Sequence, residues 1–127
     1  GGLRIDGTAT LSNCNIYGNT AAGWRSGGGL NIFGTATLTD CNVYQNTVTN
    51  TAEGGGGMFI FGIVTLSNCN IFGNTAAMST IYLHSGTLTL VGSTWEDFSG
   101  AYKQSGTIIE IDYPSPPPML PFPLPMP

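Results

Sequence analysis

An eight-residue phrase occurs three times: "CNIYGNTA" at 14–21, "CNVYQNTV" at 41–48 and "CNIFGNTA" at 69–76. The copies start 27 and then 28 positions apart. Self-similarity at this period is the mark of a solenoid, in which each repeat buries its apolar residues only by stacking on its neighbours. Aligning on the glycine before each Thr-rich stretch extends the copies to "GGLRIDGTATLSNCNIYGNTA", "GGGLNIFGTATLTDCNVYQNTV" and "GGGMFIFGIVTLSNCNIFGNTA". A decayed fourth copy, "TIYLHSGTLTLVGSTWEDFSG", and a fifth start, "GTIIEIDY", follow. No segment carries apolar residues at i, i+3, i+4 and i+7, so helical solenoids are excluded. Each copy instead holds short alternating runs (Leu3 and Ile5, Ala9 and Leu11, Cys14 and Ile16) broken by Gly, Asn and Asp corners. Period-2 alternation between turn residues is the strand-and-turn signature.

The pattern predicts an all-β fold: a right-handed parallel β-helix of about four coils of 27–28 residues over 1–113. An extended polyproline II tail follows over 114–127. In-register stacking places equivalent residues one above another. The inward ladders are Leu3/Leu30/Met58, Ile5/Ile32/Ile60, Leu11/Leu38/Leu66/Leu90 and Ile16/Val43/Ile71/Trp95. Asn19, Asn46 and Asn74 form an amide ladder at a corner, where side-chain amides bond along the stack. The glycine runs at 1–2, 27–29 and 54–57 suit a corner that needs positive φ or a close backbone approach. The variable stretches "AGWRS" and "TNTAE" read as loops on one edge.

Cys14, Cys41 and Cys69 share one repeat position. A zinc site wants CxxC-type spacing and usually histidine, and His84 is the only histidine. An odd count argues against a plain disulfide framework. Stacked, buried free thiols are the first reading. A bond between neighbouring coils is the alternative, since coils ~4.8 Å apart lie within disulfide reach.

Charge narrows the function classes. Charged residues are 8% of the chain, against roughly 25% in ordinary globular proteins. The surface is therefore built of hydroxyls, amides and backbone. Net charge is −4, with Arg4, Arg25 and Lys103 the only basic residues, which leaves no patch for a nucleic-acid backbone. No apolar run approaches the roughly 20 residues that span a bilayer. The chain opens without Met inside what looks like a repeat, and it reads as a mature or trimmed piece of a secreted or cell-surface protein.

Gly-Gly-(apolar) followed by C-x-[IV]-[YF]-x-N-T resembles the repeats of polymorphic outer-membrane proteins and related β-helical passenger domains of the autotransporter type, whose pattern is GGA[ILV] with FxxN. The resemblance covers 1–76 well and 80–112 loosely. It departs at Ile16, Val43 and Ile71, where the family has Phe, and it lacks the Ala of GGA. It implies a β-helix, an extracellular or cell-surface location, and adhesion or surface-coat roles.

All eight prolines fall in "PSPPPMLPFPLPMP". This tail cannot donate regularly to a ladder and suits polyproline II. Ser115–Pro116–Pro117–Pro118 resembles the hydroxyproline-rich wall proteins of plants and green algae, which implies hydroxylation and O-glycosylation there. No N-x-[ST] sequon occurs. Met119, Leu120, Phe122, Leu124 and Met126 make the tail too apolar for a solvated spacer, and they read as a strip contacting its own body or a neighbour. A linker to a further domain is the plainer reading.

An enzyme acting on acidic polysaccharide would need carboxylates clustered on one face beside Arg or Lys. Asp6, Asp40, Glu53, Glu96, Asp97, Glu110 and Asp112 instead scatter over different columns, and His84 has no repeated partner. The chain reads as non-enzymatic, with no cofactor and no catalytic or metal site. Three binding modes are left. Open β-helix ends invite head-to-tail self-assembly into a fibre or surface coat, with the tail locking the joint. Tyr17, Tyr44 and Phe72 form an outward aromatic column suited to sugar rings or a lateral neighbour, as in a glycan-binding adhesin fragment. Thr8/Thr35/Thr87, interrupted by Ile63, and Thr10/Thr37/Thr65/Thr89 make outward threonine columns like those of β-helical ice-binding proteins.

Overall fold

The computed structural model describes residues 1–23, 25–49, 54–77, 79–95, 101–103 and 105–111. Among them there is no helix, and the strands run parallel to their neighbours in a β-solenoid. The first coil contains β1 (Leu3–Ile5), β2 (Thr8–Ser12), β3 (Asn15–Tyr17) and β4 (Thr20–Ala21). The second contains β5 (Ser26–Gly27), β6 (Leu30–Ile32), β7 (Thr35–Thr39), β8 (Asn42–Tyr44) and β9 (Thr47–Val48). In the third, β10 (Gly54–Ser67) runs through the corner that interrupts the earlier coils, and β11 (Asn70–Phe72) follows. Then come β12 (Ser79–Val91), β13 (Thr94–Trp95), β14 (Ala101–Lys103) and β15 (Thr107–Ile111). There are three full turns, with strands of two further passes continuing the largest sheet.

The register is the one expected from the repeat. Leu3 pairs with Leu30, and Leu30 with Met58. Ile5, Ile32 and Ile60 align, as do Leu11, Leu38, Leu66 and Leu90. Ile16, Val43, Ile71 and Trp95 also align. Alternation sends these columns inward, and the middle members vanish from solvent: Leu30, Ile32, Leu38, Val43, Ile60, Leu66 and Ile71 are fully buried. Apolar burial on both sides of every central coil drives the stack, at roughly 1.5–3 kcal/mol per large side chain.

Two details differ from the simple repeat. Coil length is 27 residues from Leu11 to Leu38 and 28 from Leu38 to Leu66, but 24 from Leu66 to Leu90 and 20 from Leu90 to Glu110. Most of the shortening falls outside the largest sheet, whose β10–β12 pairing shifts register between Gly55 and Met58 and between Ile60 and Phe61. The glycine runs, in turn, supply close approach rather than positive φ. A Cβ on Gly28 would strike the carbonyl oxygen of Gly56 in the next coil, so the backbones there are packed too tightly for any side chain. The left-handed corners lie elsewhere, at Asn13, Asp40 and Asn68, with Gly92 the next such residue, and at Gly18, Gln45 and Gly73. Asn and Asp tolerate that region better than other side chains do, which explains the residue before each cysteine.

Candidate functional site

The corner ladder forms as expected and has a direction. Asn46 Nδ2 donates to Asn74 Oδ1 at 3.0 Å and to Ile16 O of the preceding coil at 2.9 Å. Asn74 Nδ2 likewise reaches back to Val43 O at 2.9 Å. Asn46 Oδ1 accepts from both the backbone N–H and Nδ2 of Asn19, each at 3.1 Å. In the first coil the pattern is cut short. Asn19 Nδ2 turns to Tyr17 O within its own coil, and Asn19 Oδ1 has no donor among the described residues.

A second amide ladder, unforeseen in the sequence, runs along the outside. Asn70 Nδ2 donates to Asn42 Oδ1 at 3.0 Å, and Asn42 Nδ2 to Asn15 Oδ1 at 2.8 Å. The recurring Asn after each cysteine was its visible signal. The cysteines repeat the same directionality. Cys69 Sγ donates to Leu38 O and Cys41 Sγ to Leu11 O, each a coil back, whereas Cys14 Sγ reaches only Ser12 O. All three thiols are free, which settles the two readings in favour of stacked thiols. Burial pushes the Cys69 thiol pKa above its ordinary value, partly offset by its backbone hydrogen bonds.

The Tyr17–Tyr44–Phe72 column points outward and stacks on itself. Ring centroids are 5.0 Å apart in both steps, with planes 5° and 1° from parallel. Tyr17 and Phe72 are 56% and 41% exposed, yet Tyr44 has a neighbour on each face. A sugar ring needs an open aromatic face, and along the flank this column presents ring edges instead. The open face of Tyr17 borders a shallow depression of about 290 Å³ at the N-terminal end, with Gly2, Leu3, Asn15, Ile16 and Asn19.

A second aromatic row was not anticipated, because alternation marks a face without saying which rings meet. Arg4 lies over Phe33 at 4.4 Å, Phe33 stacks near Phe61, and Phe61 stacks on His84 at 4.8 Å. Both His84 ring nitrogens are buried without a partner among the described residues, and the ring packs on Phe59 and Phe61. Asp6 pairs with Arg4 at 3.0 Å, and Asp40 occupies a left-handed corner. Among the described residues no group of His, Cys, Asp and Glu is placed to hold a metal ion. No described helix is long and apolar enough to cross a membrane.

The threonine columns are one part of a larger array. Thr8, Thr10 and Ser12 align with Thr35, Thr37 and Thr39, then with Ile63, Thr65 and Ser67. Thr87, Thr89 and Val91 follow, then Thr107, Ile109 and Ile111. None of these fifteen outward positions is charged. In the last strands Lys103 pairs in register with Leu83, and the exposed Glu110 with Leu90. The tail residues Ser115, Pro116, Pro117, Pro118, Met119, Leu120, Phe122, Leu124 and Met126 lie outside the described residues, as do Glu53, Glu96, Asp97 and Asp112.

In comparison with known proteins, the chain matches no family model, no curated protein and no solved structure.

Proposed function

We propose that this chain is a non-enzymatic structural protein, a β-solenoid module of an extracellular fibre or surface coat that holds its neighbour by coil-on-coil stacking. The observation that carries this reading is the set of side-chain ladders that tie coil to coil in addition to the backbone. Asn46 Nδ2 bonds Asn74 Oδ1 and Ile16 O, Asn42 Nδ2 bonds Asn15 Oδ1, and Cys41 and Cys69 each donate to a carbonyl one coil back. A hydroxyl-rich exterior with few charges, and acids scattered over different columns, support a structural role over a catalytic one.

The test adds one coil of its own repeat, a copy of residues 1–27, ahead of Gly1 in the full chain. A rise in Tm is expected, about 2–4 °C for each kcal/mol gained in a chain of the extended length. The added coil should also resist protease. An unchanged Tm with an added coil that is readily cleaved would refute the reading.

A second reading rests on the fifteen-position hydroxyl and methyl array. Its spacings are ~4.8 Å between coils and ~6.6 Å between outward residues on one strand. β-Branched side chains hold single rotamers there. An uncharged array that regular can order water in two dimensions, as an ice-binding face must. Thermal hysteresis that disappears in Thr65→Lys and persists in Gln45→Lys would favour it; hysteresis no larger than an unrelated protein's would remove it.

A further inference from the structure

The outward array of β2, β7, β10, β12 and β15 is complementary to itself, and that names a partner. We infer that this face binds a second copy of the chain, sheet against sheet. The two-fold axis runs parallel to the coil stack and passes over the middle column, Thr10–Thr37–Thr65–Thr89–Ile109. The contact lies on a sheet face rather than on the coil-to-coil ladders, so it stands apart from the stacking reading above.

The array is three positions wide and five strands tall. Alternation turns it outward, because Ala36, Leu38, Val64, Leu66, Leu88 and Leu90 between its members are buried in the core. Its bulky side chains are unevenly placed. Ile63 lies in the first column, Ile109 in the middle one, and Val91 and Ile111 in the third. The three isoleucines are 54%, 42% and 47% exposed, apolar area that a partner would take out of water.

Rotation about the axis keeps each coil at its own level and exchanges the first column with the third. Ile63 then faces Ser67 of the second copy, Val91 faces Thr87, and Ile111 faces Thr107. Every large side chain off the axis thus meets a small one, which lets two layers interdigitate without voids. On the axis four threonines meet their own equivalents, and a hydroxyl can pair with itself because it both donates and accepts. Ile109 also meets its equivalent, in the outermost of the five strands. A two-fold axis along the strands is less favourable. It inverts the coil order and sets Ile63 on Ile63 at the centre of the face, where a bulky pair wedges the whole contact apart.

No charge faces the contact from either copy. Five rows and three outward positions cover roughly 24 Å by 20 Å. Two such faces bury roughly 1,000 Å² in total, the size of a weak but specific association. A contact that is identical on both copies is the isologous interface of a closed dimer. An array covered by a copy is not open to ice, so this pairing and the ice reading compete for one surface.

The experiment is sedimentation velocity on the full chain up to about 1 mM protein, a range that populates a weak contact. Circular dichroism confirms that each variant folds. The natural chain is expected to show a dimer that grows with concentration. Thr65→Lys sets two like charges face to face on the axis and should return the chain to single molecules. Gln45→Lys, at a corner outside the face, should leave the dimer intact. The double variant Ile63→Lys/Ser67→Glu sets unlike charges together twice and should still pair, whereas Ile63→Lys/Ser67→Lys should not. A natural chain that stays single up to about 1 mM would overturn the inference, and so would a dimer that Thr65→Lys leaves unchanged. A natural dimer lost in Ile63→Lys/Ser67→Glu would overturn the axis, since an axis along the strands opposes position 63 to itself.

Discussion

Segments 14–21 and 41–48 share five of eight residues and lie in adjacent coils of one stack, yet they inhabit different environments. Cys41, Val43 and Asn46 are fully buried, while Cys14, Ile16 and Asn19 are each half-buried. Local sequence cannot account for this, since local sequence is what they share. The second coil is covered on both sides and the first on one. In a solenoid, then, the energetic weight of a residue is set by its place in the stack, and identical side chains make different contributions.

The largest expected contrast lies in the leucine column. Leu38→Ala removes a fully buried side chain with a leucine above and another below, and should cost about 2–5 kcal/mol. Leu11→Ala removes a side chain that solvent already reaches and should cost less than half as much. Urea unfolding of the two variants measures the difference. Equal costs would mean that the first coil is covered in solution, and would point to an occupied N-terminal edge.

A smaller contrast separates the corner amides. Asn46→Ala removes the side-chain donor to Ile16 O and strips Asn19 N–H of its acceptor, at about 1–3 kcal/mol for each buried group left bare, while Asn74 Oδ1 still accepts from the backbone N–H at position 46. Asn19→Ala is milder, because the backbone N–H at position 19 still donates to Asn46 Oδ1. If Asn19→Ala proved the worse of the two, the direction assigned to the ladder would be wrong. Amide exchange at Asn19 and Asn46 in the two variants would locate the fault.

Much of this was readable from the residues, and the limit falls in a definite place. A 27-residue period with alternating apolar positions specifies parallel strands in register, so the Leu11–Leu38–Leu66–Leu90 column and the Asn19–Asn46–Asn74 ladder follow from alignment alone. Alternation also puts Tyr17, Tyr44 and Phe72 outside. It does not say that the rings will cover one another's faces, which depends on χ angles and the ~4.8 Å coil spacing, and that covering is what counts against sugar stacking. The charges at the C-terminal end were hidden for another reason. Lys103 comes under Leu83 only after the coil shortens to 20 residues, and a fixed period misses that step.

The smallest expected effect concerns the thiols, and it tests the same comparison chemically. Cys14 is half-buried and donates only within its own coil, whereas Cys69 is fully buried and donates to Leu38 O as well. A thiol reagent should therefore modify Cys14 first, with Cys69 reacting only as fast as the structure opens. The raised pKa of Cys69 adds a pH dependence whose sign is determined. An unfolded thiol ionises near 8.5, and the folded one only at higher pH. Above about 8.5 the unfolded chain releases a proton that the folded chain retains, so this contribution to stability is intact at neutral pH and declines as pH rises. Substituting Cys69→Ala should flatten the alkaline slope of stability. A slope unchanged in that variant would show that another group carries it. Equal reagent rates at Cys14 and Cys69 would remove the burial difference from which the comparison starts.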